Sequence, residues 1–169
     1  MRITATIDYP GSPQQVAAML ANPEYLRARV TLGGATLEQA DVVGSAEDEF
    51  TATTRGKIPS DTIPQHMRGF VGNSLEIRQV EAWEAPAADG RRIGTVVIEI
   101  SGAPVRLTGT RRITPSADGK SCTDQIEGEL KAAVPLLGPS IEQAAAPAVY
   151  AAIDAERKAA ENWLHAGRS

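Results

Sequence analysis

Hydrophobic and polar positions alternate from the first residues of the chain. Ile3, Ala5, Ile7 and Tyr9 fall on one side, and Arg2, Thr4, Thr6 and Asp8 on the other, which is the period of a strand with one buried face. Pro10 and Gly11 end it. Ser12-Pro13-Gln14-Gln15 then has the signature of a helix start, with serine at the cap, proline at the first helical position and glutamine three residues after the cap. Val16, Met19 and Leu20 supply an apolar stripe. Asn22-Pro23 interrupts it, because the residue before proline avoids helical backbone. A second short helix, from Pro23 to about Val30, carries Tyr25, Leu26 and Val30 and ends at Gly33-Gly34.

Six further strands follow. Residues 35–43 form the first, with a turn over 44–48, and in 49–58 Phe50, Ala52, Thr54 and Ile58 share one phase. In 74–83, Leu75 and Ile77 share one phase while Val80 and Ala82 share the other, and a bulge near Gln79 would reconcile them. Residues 91–101 hold the most β-prone run, TVVIEI. Residues 105–114 and 121–134 flank a turn with Asp118-Gly119. The stretch 59–72 has prolines at 59 and 64, glycines at 69 and 72 and no clean period, so a long loop is expected there. From 139 to 165 the residues Ile141, Ala145, Val149, Ala152, Ile153, Ala159, Ala160, Trp163 and Leu164 recur at helical spacing. Pro147, inside that pattern, is expected to kink the helix or to begin its main segment. The order is strand, two short helices, six antiparallel strands and one long C-terminal helix, an α+β arrangement in which that helix covers the apolar face of the sheet. No composition break divides the chain, so one domain over 1–169 is expected.

Composition then narrows the function. Lys plus Arg number 17 against 21 Asp plus Glu, for a net charge of -4. That excess of acid argues against nucleic acid as the main partner and against electrostatic docking on anionic lipid. The single Cys122 makes neither an internal disulfide nor a zinc site. No signal-like segment opens the chain and no apolar run reaches the length of a membrane span, so the expectation is a cytoplasmic protein without integral membrane association. There is no metal-binding or phosphate-cradling motif, and no cofactor is expected.

The element order, together with the opening ITATIDYPGSPQQVAAML, the helix-breaking NPEY and the approach to the last helix, ELKAAVPLLGPSIEQ, resembles the START-like, Bet v 1-like (SRPBCC) superfamily. The opening and the stretch RGFVGNSLEIRQVEAW are similar to a family of uncharacterised bacterial START-like proteins. The resemblance implies a helix-grip fold, a curved seven-stranded sheet around the C-terminal helix. It also implies a cavity between the two that accepts lipids, polyketides, isoprenoids or other apolar molecules. Some members are cyclases, aromatases or hydrolase-like enzymes; others carry or sense ligands.

The residues offer few chemical groups for such a cavity. His66 and His165 are far apart, the first in the 59–72 loop and the second in the last helical turn. Arg111 and Asp124 each fall on the apolar phase of their strand, and if Thr114 faces Ser121 the two lie directly opposite. Paired toward the core, they read either as a plain ion pair or as a polar anchor for a ligand. Small inward residues (Ala5, Ala52, Gly109, Gly128, Ala145 and Ala152) are compatible with an open interior. The expected ligand-binding set is Arg111, Asp124, Phe50, Met67, Phe70, Leu107, Ile126 and Val149, with Ile63, Met67, Phe70 and Val71 of the loop as an apolar lid. The expected partner is a small apolar ligand. An enzyme on the same scaffold, using Arg111, Asp124 and His66, and an interaction module with a filled interior are the alternatives.

Overall fold

The computed structural model describes residues 1–59, 61, 65–70 and 74–167, and within 65–70 the backbone alone at His66, Met67 and Phe70. Seven strands form one antiparallel sheet: β1 (Arg2–Tyr9), β2 (Thr36–Gly44), β3 (Phe50–Pro59), β4 (Ser74–Trp83), β5 (Arg92–Ser101), β6 (Val105–Pro115) and β7 (Cys122–Ala132), in the order β1-β7-β6-β5-β4-β3-β2. Helices α1 (Pro13–Leu20) and α2 (Pro23–Leu32) follow β1, and α3 (Gly138–His165) closes the chain. A 3-10 turn spans Gln65–Phe70.

Local chemistry explains the helix starts. Ser12 Oγ accepts from Gln15 N, and Gln15 Oε1 accepts from Ser12 N, so the capping box forms as the sequence predicts. Asn22 Oδ1 accepts from Glu24 N and opens α2. Helix α3 runs as one 28-residue helix with Pro147 inside it, so Pro147 does not begin a separate main segment. Its main contacts are with α2, β7 and β1. Ile141, Ala146, Ala159, Ala160 and Trp163 are buried and Ala145, Val149 and Ile153 half-buried, whereas Ala152 is exposed. The stripe turns past Ala152 through Ile153 and Glu156. Ile3, Ile7 and Leu107 are buried beneath the helix, as the longest apolar stripes of the chain predict.

Three expectations about the sheet are corrected. First, β6 and β7 pair two residues out of the expected register: Thr114 faces Thr123, so Arg111 faces Ile126, and Asp124 faces Ile113. A two-residue slip keeps every side chain on its own face, so Arg111 and Asp124 still point inward, on adjacent rows. Second, β4 has no bulge near Gln79. It pairs without interruption on both sides, and the irregularity lies in β2 between Leu37 and Gln39. The inward row of β4 is therefore Leu75, Ile77, Gln79, Glu81 and Trp83, while Ala82 is exposed. Third, Gly109 and Gly128 do not leave an open interior. They face each other across β6 and β7, and a Cβ on Gly109 would lie 2.5 Å from Glu127 O. Glycine is required there by the close approach of the two strands.

Candidate functional site

The alternation of the sheet and the helical stripe of α3 converge on one polar cluster. Arg111 on β6, Asp124 on β7, Glu81 on β4, Glu156 on α3 and Arg29 on α2 all point inward, and none is more than 6% exposed. Arg111 is the hub. Its Nε and Nη2 donate to Asp124 Oδ2 at 2.9 and 2.5 Å, Nη2 donates to Glu156 Oε1 at 2.6 Å, and Nη1 donates to Glu81 Oε2 at 3.2 Å. Tyr9 Oη accepts from Arg111 Nη2 at 3.2 Å and donates to Glu156 Oε1 at 3.4 Å. Arg29 Nη1 donates to Glu81 Oε1 at 2.7 Å and lies 3.6 Å from Glu156 Oε1. Gln79 Nε2 and Trp83 Nε1 complete the donors to Glu81, at 2.6 and 3.3 Å.

Aromatic rings wall the cluster. The Arg111 guanidinium sits 5.3 Å from the centre of the Trp83 ring, a cation–π contact. The indole in turn covers Gly94, where a Cβ would meet the ring at 2.6 Å. Phe50 stacks on Trp83 with centroids 6.4 Å apart, and Tyr25 meets Trp163 edge to face.

Two guanidiniums and three carboxylates thus share a dry site, with a formal surplus of one negative charge. Burial pushes the Glu81 carboxyl up, but Arg29 and Arg111 outweigh it and hold Glu81 at about 2. For Asp124 burial dominates and raises the carboxyl above its usual range despite Arg111. Asp124 Oδ1 has no hydrogen-bond partner among the described residues. Burial alone would lower the Arg111 guanidinium, yet Asp124, Glu156 and Glu81 hold it well above its ordinary value. The Tyr9 phenol is raised by burial and then by Glu156. Cys122, next to this row on β7, is pushed up to about 12 by burial and by Asp124, which makes it an inert thiol at neutral pH.

Of the residues singled out in the sequence, the structure brings Arg111 and Asp124 together and buries Phe50 and Ile126 in the apolar cluster with Tyr9 and Trp83, and Leu107 in a second cluster with Ile3 and Ile141. Val149 is half-buried on α3, one end of the interior away. The side chains of His66, Met67 and Phe70, and residues Ile63 and Val71 of the expected lid, lie outside the described residues. Sequence reasoning missed Glu81, Glu156 and Arg29. The signal for Glu156 was present: it lies three residues after Ile153 and four before Ala160, on the inward stripe. No group of three or more His, Cys, Asp or Glu suited to a metal ion occurs among the described residues.

Beyond the cluster, the inner face changes character. Ile77, Gln79, Ile98 and Ile100 on β4 and β5 stay half-buried, although residues of the same face on β1, β6 and β7 are sealed by α3. Val149 and Ile153 of α3 border this apolar strip, packing into the same cluster as Ile98 and Ile100. Two other concavities lie elsewhere: a groove of about 740 Å³ along the outer flank of α2, lined by Glu24, Arg27, Ala28, Thr31, Leu32 and Trp163, and one of about 220 Å³ across β1 and β7.

Residues 4–164 match the family described as "Protein of unknown function (DUF2505)". The chain belongs to that family. A DUF2505 chain of this length is 24% identical over 162 residues to an uncharacterized protein of Mycobacterium tuberculosis, covering 93% of this chain and 92% of that one. Among solved structures, the fold is similar to a START superfamily protein from Mycobacterium smegmatis (TM-score 0.53, 11% identity, 93% and 94% of the two chains covered). It is also similar to an aromatase/cyclase from a Streptomyces species (TM-score 0.54, 11% identity, 100% and 99% covered). At these identities the likeness is one of fold alone: a seven-stranded antiparallel sheet with a long C-terminal helix, the helix-grip arrangement. No helix among its described residues is long and apolar enough to cross a membrane.

Proposed function

We propose that the protein binds a small apolar or amphipathic molecule on the inner face of β4 and β5, opposite α3, as a carrier or sensor. One observation carries this reading: on the two strands nearest the middle of the sheet order the inward aliphatics Ile77, Ile98 and Ile100 stay half-buried, whereas most inward residues of β1, β6 and β7 are buried. Aliphatic side chains gain about 1.5–3 kcal/mol each on complete burial, and an apolar guest supplies what α3 leaves uncovered. Val149 and Ile153 bound the site on the helix side, and the segment with Met67 and Phe70 is the connection between β3 and β4. Leu107 packs in the same cluster as Ile98 and Ile100, whereas Phe50 and Ile126 lie farther along the interior, in the cluster with Trp83. The START-like neighbours support the reading by their shared architecture alone.

Arg111 and Asp124 enter as the floor of the site. Every Arg111 nitrogen already donates to a protein carboxylate, so the cluster fixes the positions of β4, β6, β7 and α3 around the guest. Titration of the full chain with Nile red tests the reading, with native mass spectrometry for a co-purifying molecule. Saturable binding near one probe per chain, weakened by Ile98→Asp, is the expected result. The absence of both a bound molecule and probe binding leaves the protein as an interaction module.

A further inference from the structure

We infer that the inner end of this proposed site prefers an uncharged, hydroxyl-bearing ligand to the carboxylate of the same chain length, with Gln79 as the residue that meets the hydroxyl. The inference rests on the binding reading above and concerns the polar end of the same guest.

Gln79 is the last partly accessible polar side chain before the sealed cluster. It is half-buried on the inward row, between Thr54 on β3 and Ile98 on β5, and the next inward residue of β4, Glu81, is 1% exposed. Its amide orientation follows from chemistry. An ionised Glu81 only accepts hydrogen bonds, so the group 2.6 Å from Glu81 Oε1 is the Gln79 NH2. The carbonyl oxygen of a planar amide then points away from Glu81, and no described residue donates to it. An alcohol or phenol donates to such an oxygen directly.

A carboxylate fares worse on two counts. Of the three buried guanidiniums among the described residues, Arg111 is engaged by Asp124, Glu156 and Glu81 and Arg29 by Glu81 and Glu156, while Arg92 lies at the other end of β5, opposite Ile113, and donates to Asp48 O and Ala46 O. With three protein carboxylates against two guanidiniums in the adjoining buried cluster, a fourth anion brought to the half-buried Gln79 meets like charge with no free counter-ion beside it among the cluster residues.

The test is displacement of Nile red from the full chain at pH 8, where decanoic acid is ionised, by decan-1-ol and by decanoate below their aggregation limits. Decan-1-ol is expected to act at a concentration at least about tenfold lower than decanoate. Gln79→Leu also removes a hydrogen bond to the buried Glu81, so its urea midpoint is expected to fall. The readout is therefore the ratio of the decanoate to the decan-1-ol concentration that displaces the probe from the folded variant, which is expected to shrink toward one. Decanoate displacing as well as decan-1-ol overturns the inference and leaves the binding reading standing. A gap that survives unchanged in Gln79→Leu overturns the assignment to Gln79, because desolvation of the carboxylate alone then explains it. Failure of Nile red to bind the wild type overturns the binding reading and this inference with it.

Discussion

Arg111 on β6 and Glu156 on α3 are 45 positions apart and meet through a 2.6 Å hydrogen bond inside the protein. That contact ties the concave face of the sheet to the helix that covers part of it. Arg111 also holds Asp124 and Glu81, so one side chain joins β4, β6, β7 and α3. Removing one member of a buried charged set leaves its partners unpaired, which costs far more than the set contributes when intact.

The members are therefore unequal. Arg111→Met leaves Asp124 and Glu156 without their hydrogen-bonded cation and weakens the hold on Glu81; a loss of about 3–5 kcal/mol is expected. Glu156→Gln keeps an acceptor for Arg111 and removes the surplus negative charge, so a loss of about 1 kcal/mol is expected. Urea unfolding followed by circular dichroism ranks the two. Equal losses would show that the surplus charge has no energetic consequence.

Stability against pH should carry two opposed signatures. Glu81, held at about 2 in the folded protein, lies below its unfolded value, so it contributes stability that is present above about pH 4.3 and lost as pH falls toward 2. Asp124 is raised by burial; its contribution is full below its unfolded value of about 3.9 and is lost as pH rises through the folded value. Acid therefore costs the protein through Glu81 and favours it through Asp124. Asp124→Asn should make the loss between pH 4.5 and 2 steeper, and Glu81→Gln should make it shallower. Thermal melts at half-unit pH steps read both slopes.

Gly94→Ala places a methyl group 2.6 Å from the Trp83 ring. Trp83 cannot yield freely, since its Nε1 donates to Glu81 and its face carries Arg111. A loss of about 1–3 kcal/mol from overpacking is expected, with a change in native tryptophan fluorescence. Unchanged fluorescence and stability would mean that the ring moves aside without cost.

Cys122 is 3% exposed and its thiol is pushed up to about 12. At pH 8 it should resist a thiol reagent in the native protein and react fully in 6 M guanidinium chloride, with a native rate that follows the opening of the fold. Fast native labelling would place the thiol at the surface.

The local pattern of the chain was sufficient for its elements. Alternation in β1 and β3, the Ser12 capping box and the 3.6-residue stripe of α3 are all local, and local periodicity states which face of an element turns inward. It therefore placed Arg111 and Asp124 on the concave side even though the assumed register was wrong, because a slip of two residues preserves the face. What periodicity cannot state is which inward residues meet. The pairing of Arg111 with Glu81 and Glu156 depends on the curvature of the sheet and on where α3 crosses it, at sequence separations of 30 and 45 residues. The same limit explains the misplaced bulge at Gln79. A polar residue in an apolar row reads as an irregularity until its partner is known, and Glu81 has its partners on α2 and β6. Only the tertiary structure could supply these partners, because a buried charge is tolerated through neighbours that the chain brings from elsewhere.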